Sequence, residues 1–581
     1  MNVVGGEIVA AMLAAEGVDR VFGIVDGTYL GLFASFEKYG IRLISPRHET
    51  TAAHMAGAYA RATGKLGVCM ASNGPGVANI LPGVAVENGE GNRVLLVTST
   101  RRQGIGYPDR GGTYQYFNQV GATGAMGKWS GFASTVERVP ELMRRAFRIA
   151  WRGRPGVVHV DVPEDVLNGT HEVAEGWKQA PASYRRVEPI APSASQVAEI
   201  ADRLRNAERP MVHVGSGVLH AGGHEEVVDL AERLQAPVTT SWGAASVLPV
   251  EHALCVPTGG LEIAKEVRSR ADLVLVIGSR LGETDWWGRG HRWGGKDKTV
   301  IQVDNDEEIL GLNRPADRLV LADARVFATE LNAALAEQPV PEGRLQSRRA
   351  WLGEIGEQKK KLAEEQGMAL LNDDDPMHPA HVPVVARRVF GDEALTVIDG
   401  GNTAVWSTMY HSAPRPNSVF STFKFGMLGA GPGQALGAKS AHPDRPVYCI
   451  TGDGAMGMHV QEIETAVREG LPVVFIVLCD RQWGMVKLTQ QFGLGAIRET
   501  LGVEGEGTIN ADFHEIRFDQ VARAMGAHGE RVSAPAALEP TLRRALETGG
   551  PAVVHVDVDP SAHLFPPGLL EFKEMHGEPE D

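Results

Sequence analysis

Short runs of Val, Ile and Leu, bounded by turn residues, alternate with helical stretches along most of the chain, and this alternation leaves little choice of architecture. A strand covered on both faces reads as a continuous apolar run, and parallel strands need a helical crossover to bring the chain back to the same sheet. The candidate strands are RLISPR, LGVCMAS, RVLLVTS, GVVHVDVP, PMVHVGS, LVLVIGS, TVIQVD, LTVIDGG, PVYCITGDG, PVVFIVLCD and AVVHVDVD. The expected class is α/β, with domains built from mainly parallel sheets flanked by helices. Two of the strands nearly repeat each other, GVVHVDVPEDV near residue 156 and AVVHVDVDPSA near residue 552. Each closes an α/β block, so two similar outer domains are expected around a different middle one.

At roughly 150 residues per domain, 581 residues predict three or four, with three the natural reading for an enzyme of this size. The boundaries read as an N-terminal domain over 1–185, a middle domain over 190–340 with three strands of its own, and a charged helical linker over 341–378. A C-terminal domain over 379–560 follows, then a segment over 561–581 that is a lid or a frayed tail. The net charge of −15 and the lack of a dense Lys/Arg stripe exclude a nucleic-acid partner. The N-terminus lacks a basic leader, and no run of about 18 apolar residues occurs. A soluble, cytoplasmic protein with no membrane partner is expected. Cys69, Cys255, Cys449 and Cys479 are widely spaced and form no CxxC pair.

The strongest chemical signal is PVYCITGDGAMGMHVQEIETAVREGLPVVFIVLCDRQWGM. A strand runs into Gly452-Asp453-Gly454, and one helix is expected after it, with Met456, Val460, Ile463 and Val467 on its apolar face. Glycines let backbone approach a ligand, and a helix N-terminus offers free N–H groups to an anion. Asp480 ends the next strand. Two carboxylates at neighbouring strand ends suit a hard divalent ion such as Mg²⁺, which takes one or two carboxylates together with phosphate oxygens.

A GDG tripeptide followed at this interval by an oxygen ligand resembles the motif of the thiamin-diphosphate-dependent enzymes, usually written GDG to NN. Here Cys479-Asp480 stands where that family has two asparagines. The resemblance implies two thiamin-diphosphate-binding folds around a middle Rossmann-like domain, with thiamin diphosphate and Mg²⁺ as cofactors. It implies Asp453, Asp480 and the Gln482 carbonyl as metal ligands, and a cofactor cradle of Gly452, Gly454, Ala455, Trp483, Gly484 and Met485. Asn402 and Thr403 of VIDGGNTAVW correspond to its diphosphate-contacting turn. In FKFGMLGAGPG, Gly426 corresponds to the carbonyl that accepts from the aminopyrimidine, and Leu428 to the wedge that bends the cofactor.

The family also requires a glutamate in the first domain, and Glu49 of RLISPRHETTAAHMAGAYARATGK supplies it. A carboxyl bonded to the aminopyrimidine ring favours the tautomer that activates the thiazolium, so Glu49 is the expected catalytic residue. The resemblance places the cofactor between the first domain of one subunit and the third of another, implying at least a homodimer and commonly a homotetramer.

Within the family the chain most resembles the acetolactate synthase-like branch, which also contains benzaldehyde lyase and benzoylformate decarboxylase. SNGPGVANILPG and FNQVGATGAMGKWS carry that likeness, the second through Phe117, Asn118, Gln119 and Lys128. Asp26, Gly27, Thr28, Ser72, Asn73, Gln115, Phe117 and Asn118 are expected to line the substrate pocket. Asp26 reads either as a proton-transfer group or as a turn former. Thr489, where the synthases carry an acceptor-shaping tryptophan, and Thr284, where they carry an arginine, argue against the biosynthetic acetolactate synthase. Decarboxylation, carboligation or acyloin cleavage of 2-oxo acids and aldehydes is the expected activity. The middle-domain turn VGSGVLHAGG is compatible with a nucleotide-binding fold, and the family's middle domain sometimes holds FAD, so a FAD-linked 2-oxo acid oxidase resembling pyruvate oxidase is one alternative, not the favoured one, and a non-catalytic cofactor-binding protein is another.

Overall fold

The computed structural model describes residues 2–106, 109–295 and 297–577. It contains three parallel sheets. The first runs in the spatial order Arg42–Ile44, Arg20–Gly23, Gly67–Ala71, Val94–Thr100, Val157–Pro163, Trp129–Phe132. The third runs Val419–Phe420, Leu395–Ile398, Val447–Gly452, Val474–Cys479, Ala552–Asp557, His528–Val532. Numbered within its own sheet, each has the order 2-1-3-4-6-5, and the repeated VVHVDV segment is the sixth strand of both. The sequence repeat is therefore a repeat of topology. In such sheets the chain order reverses between strands 1 and 3, and the crevice outside their carboxyl ends is where ligands bind.

The middle sheet has five strands, ordered Val238–Thr240, Pro210–Val214, Leu273–Ile277, Thr299–Asp304, Arg318–Leu321. Three were expected. The two additional strands are short edges, and in Arg318–Leu321 only Val320 is buried, so neither produces an apolar run. The four-residue strand Arg20–Gly23 escaped sequence reasoning through its brevity. All eleven strands read from sequence are present.

The described residues divide into two compact units: 2–188 with 432–444 and 459–471, and 189–431 with 445–458 and 472–577. In the first, the helix Glu49–Thr63 packs closely on Pro75–Glu90 because its contact face is Ala and Gly. A Cβ on Gly57 would collide with the Glu87 carboxylate, and one on Gly83 would lie 2.6 Å from that of Ala53. Segment 432–444 packs there too: a Cβ on Gly433 would come within 2.9 Å of His54.

In the second unit the charged segment forms one helix, Glu342–Ala369, which docks through buried Trp351 and Ile355. Arg348 is fully buried and donates to the carbonyls of Leu204, Ala207 and Leu234, each at 2.7 Å. These carbonyls end the helices Ala194–Asn206 and His224–Leu234, so one guanidinium caps two helix C-termini. Past the last sheet strand, the short helices Pro560–His563 and Leu569–Glu574 pack back onto the unit, with Phe572 against Trp242 and Glu574 paired with Arg292 at 2.6 Å. Residues 578–581 of the tail lie outside the described residues. No helix among the described residues is long and apolar enough to cross a membrane.

Candidate active site

The strands Val447–Gly452 and Val474–Cys479 are hydrogen-bonded neighbours, with Gly452 opposite Leu478. Asp453 and Asp480 are the first residues past their ends, which brings the two carboxylates to one edge. Asp453 accepts from the N–H groups of Gly454 (2.7 Å) and Arg481 (2.8 Å). Burial, reinforced by the like charge of Asp480, still pushes its carboxyl up to about 6. Asp480 is buried and accepts from His563 Nδ1 at 2.6 Å and Gln482 Nε2 at 3.0 Å, both on Oδ2.

The glycines here are demanded by contacts. A Cβ on Gly454 would lie 2.7 Å from the Trp483 ring, one on Gly452 3.0 Å from Thr403 Oγ1, and one on Gly484 2.7 Å from Asn402 Nδ2. Asn402 is buried with its Oδ1 unpartnered, while its Nδ2 donates to the His563 carbonyl at 3.1 Å. Two close carboxylates, an orphaned amide oxygen and a glycine cradle fit a divalent cation carrying a phosphate group. Asp453 and Asp480 would hold the cation, and the backbone of 452–455 together with Asn402 and Thr403 would hold the phosphates. Ala455 is buried in the turn, and Met485 closes on Gly401.

The helix expected after the GDG turn is two helices, Asp453–Met458 and Glu462–Glu469. Glycines at 454 and 457 weaken the first, and the turn at 459–461 re-aims the chain. Glu462, on the second, is buried in the first compact unit and accepts from Thr51 Oγ1 at 2.9 Å and from the Arg47 N–H at 3.1 Å.

Asp399, passed over in the sequence, organises the neighbouring loop. It ends strand Leu395–Ile398 and accepts from the N–H groups of Gly400 (2.7 Å), Gly429 (3.1 Å) and Gly431 (2.9 Å). This pins the turn in which Gly426 has φ +71° and Leu428 is half-buried. The strand-end Asp in VIDGG was the available signal. Cys479 is a buried thiol 3.4 Å from His555 Nδ1; burial, with carboxylates nearby, raises it well above the ordinary thiol range. It is a packing group here. Glu515 and Asp557, beside His555, both pair with Arg531, at 2.7 and 2.6 Å.

The equivalent crevice of the first sheet gathers the other candidates. Glu49 starts its helix behind His48, whose Nδ1 accepts from the Thr50 N–H, and its Oε2 accepts from Asn79 Nδ2 at 3.1 Å. A Cβ on Gly76 would lie 3.5 Å from Glu49 Oε1 and 2.7 Å from Ser72 Oγ. Asn73 donates to the Gln115 carbonyl at 3.2 Å and, through its N–H, to Ser99 Oγ, which is 2.6 Å from Thr28 Oγ1. Ser72, Asn73, Gln115, Thr28 and Glu49 therefore share one neighbourhood. Asp26 caps the turn Gly27–Tyr29 by accepting from the Thr28 N–H at 2.8 Å, so its carboxylate is engaged as a turn former. Asn118 likewise caps the helix Gln119–Met126, and Phe117 precedes it. Asn79 was missed in the sequence. In the middle sheet, Gly215 and Gly217 press against Gly278, so the glycines of VGSGV serve strand-end packing.

Two matched sheets, one carrying a glutamate at a helix start and the other a glycine turn whose paired carboxylates would suit a cation, have the layout of a diphosphate-binding α/β enzyme. The family descriptions agree: the thiamine pyrophosphate enzyme N-terminal TPP binding domain matches residues 3–122, its central domain 197–331, and its C-terminal TPP binding domain 399–556. The chain belongs to the thiamin-diphosphate-dependent enzymes, in their acetolactate synthase-like branch. It is an α/β enzyme of carbon–carbon bond formation or cleavage. The acetolactate synthase isozyme 3 large subunit of Escherichia coli is 28% identical over 571 residues, covering 97% of this chain and 96% of that protein. The sulfoacetaldehyde acetyltransferase of Alcaligenes xylosoxydans xylosoxydans is 29% identical over 562 residues, covering 92% and 89%. The probable acetolactate synthase large subunit of Methanocaldococcus jannaschii is 28% identical over 576 residues, covering 97% and 94%.

Proposed function

We propose that the protein uses thiamin diphosphate and Mg²⁺ to decarboxylate 2-oxo acids and to join or cleave acyl and aldehyde fragments, with a pocket unlike that of the biosynthetic acetolactate synthases. The observation carrying this is the pairing of Asp453 and Asp480 at adjacent strand ends beside a glycine cradle. Bound thiamin diphosphate supplies the electron sink for breaking and making the bond at the carbonyl carbon. Asp453, Asp480 and the Gln482 carbonyl hold the cation, Asn402 and Thr403 hold the phosphates, and Glu49 holds a proton at the pyrimidine ring. Asn79 fixes the Glu49 carboxylate. Thr28, Ser72, Asn73 and Gln115 line the substrate side. The family resemblance puts the cofactor between the first domain of one protomer and the third of its partner, so the working assembly in this reading is at least a homodimer, in which one protomer's Glu49 serves the diphosphate cradle of its partner, and a homotetramer fits the family. The domain limits 1–185, 190–340 and 379–560 and a cytoplasmic location belong to the same reading.

The test is incubation of the Mg²⁺- and thiamin diphosphate-loaded enzyme with a panel of 2-oxo acids and aldehydes, reading CO₂ and coupled products together. The sulfoacetaldehyde acetyltransferase relatives put sulfoacetaldehyde and acetyl-group transfer on that panel. Glu49→Gln is expected to lower turnover by about 10²–10⁴-fold while sparing the fold. Activity at the wild-type level in that variant refutes the role of Glu49.

A further inference from the structure

Beyond the last sheet strand, Asp559 caps the one-turn helix Pro560–His563, its Oδ1 accepting from the N–H groups of Ser561 (2.8 Å) and Ala562 (3.3 Å). This cap delivers His563, 3% exposed, into the diphosphate cradle. Its Nδ1 lies 2.6 Å from Asp480 Oδ2 and its Nε2 3.3 Å from Thr403 Oγ1. One neutral tautomer satisfies both contacts: Nδ1–H donates to the carboxylate and Nε2 accepts from the hydroxyl. The backbone is fixed as well, since the His563 carbonyl accepts from Asn402 Nδ2 at 3.1 Å and from the Trp406 indole at 3.2 Å. A single residue therefore touches three of the groups assigned to phosphate and cation.

The arrangement explains how a carboxylate can stand where the family pattern has an asparagine. A buried carboxylate beside Asp453 needs donors on at least one oxygen. Among the described residues, Asp480 Oδ2 receives two, from His563 and Gln482, whereas Oδ1 receives only the Gln482 N–H at 3.3 Å. The engaged oxygen sets the rotamer, and Oδ1 is the oxygen left for a cation.

We infer that His563 is a positioning residue of the thiamin diphosphate–Mg²⁺ half-site, fixing Asp480 for the cation and Thr403 for the phosphate. This rests on the proposed function, through the cation and phosphate roles given there to Asp480 and Thr403. Outer-shell partners of metal ligands contribute about 10–100-fold to affinity. His563 makes the start of the C-terminal segment part of cofactor binding.

The test titrates thiamin diphosphate into chelator-stripped full-length protein at fixed Mg²⁺, following tryptophan fluorescence, with Trp483 and Trp406 as local reporters. His563→Ala is expected to weaken binding about 10–100-fold. His563→Asn places an amide nitrogen near the Nδ1 position and is expected to recover most of the affinity. His563→Gln reaches toward the Nε2 position and is expected not to recover it. Leu564→Ala, a buried neighbour on the same turn, controls for loosening of the segment. Equal affinity in wild type and His563→Ala overturns the inference, as does an equal loss in Leu564→Ala or recovery by Gln in preference to Asn. Wild-type protein that binds neither thiamin diphosphate nor Mg²⁺ removes the proposed function itself. Binding that is lost in Asp453→Ala but untouched in His563→Ala removes only the role of His563.

Discussion

Asp161, in the middle of strand Val157–Pro163, offers a quantitative check on the first compact unit. It is 3% exposed and accepts from Thr98 Oγ1 at 2.6 Å and Gln119 Nε2 at 3.0 Å, both on Oδ1. Burial outweighs these two bonds and pushes its carboxyl from 3.8 up to about 7. His159, two residues before, is pushed down to about 3 by burial and supplies no compensating charge. The folded state thus holds a proton that the unfolded chain releases near 3.8. Stability from this group is fully present below that pH and falls as pH rises to about 7, by about 4 kcal/mol for a shift of about three units. Asp161→Asn keeps an oxygen acceptor for Thr98 and Gln119 and does not titrate. Its stability relative to wild type should climb by about 2.7 kcal/mol between pH 5 and pH 7, two units at about 1.36 each, and then level off. A chain of several domains does not unfold in one step, so the measurement is native-state hydrogen exchange in the strands Val94–Thr100 and Val157–Pro163 of both proteins at matched pH, corrected for intrinsic rates. The carbonyl stretch of a protonated acid, present at pH 5 and absent in the variant, is a second reading. A difference between the two proteins that is constant across this range refutes the reasoning. The result also bears on the site, because Gln119, which bonds Asp161, accepts from the Gly74 N–H at 2.8 Å and so holds the turn after Asn73.

Arg348→Met leaves three helix-end carbonyls without their donor and is expected to destabilise the middle sheet's surroundings by about 3–6 kcal/mol, read as lost exchange protection in Ala194–Asn206 and His224–Leu234. Arg348→Lys, a point charge without the fork, should recover little of it. Chelation of Mg²⁺ is expected to release thiamin diphosphate, and Asp453→Ala to weaken its binding by at least the ~100-fold that outer-shell losses reach. Both are measured by equilibrium dialysis, and retention of cofactor after chelation contradicts the cation role of the Asp453–Asp480 pair.

The alternation of apolar runs determined the parallel sheets, because a strand covered on both faces has no polar side to show, and the VVHVDV repeat marked the matched outer sheets. Motif spacing was enough to put Asp453 and Asp480 at strand ends, since in a parallel sheet the residue after each strand lies on the same edge. Short edge strands such as Arg318–Leu321 stayed hidden, having one wet face and too few residues for a pattern. Tertiary structure alone decided the partners that come from far along the chain. Asp399 reaches Gly429 and Gly431, Arg348 reaches two helix ends more than a hundred residues earlier, Asn79 reaches Glu49, and His563 reaches Asp480 and Thr403. The physical reason is that periodicity and turn chemistry are local properties, while a hydrogen bond between distant segments depends on how the sheets and their crossovers bring donor and acceptor within about 3.5 Å. The same sequence cue, a polar residue beside a turn, marks Asp26 as a cap and Asp453 as a ligand candidate, and only the position of the carboxylate among its neighbours separates the two.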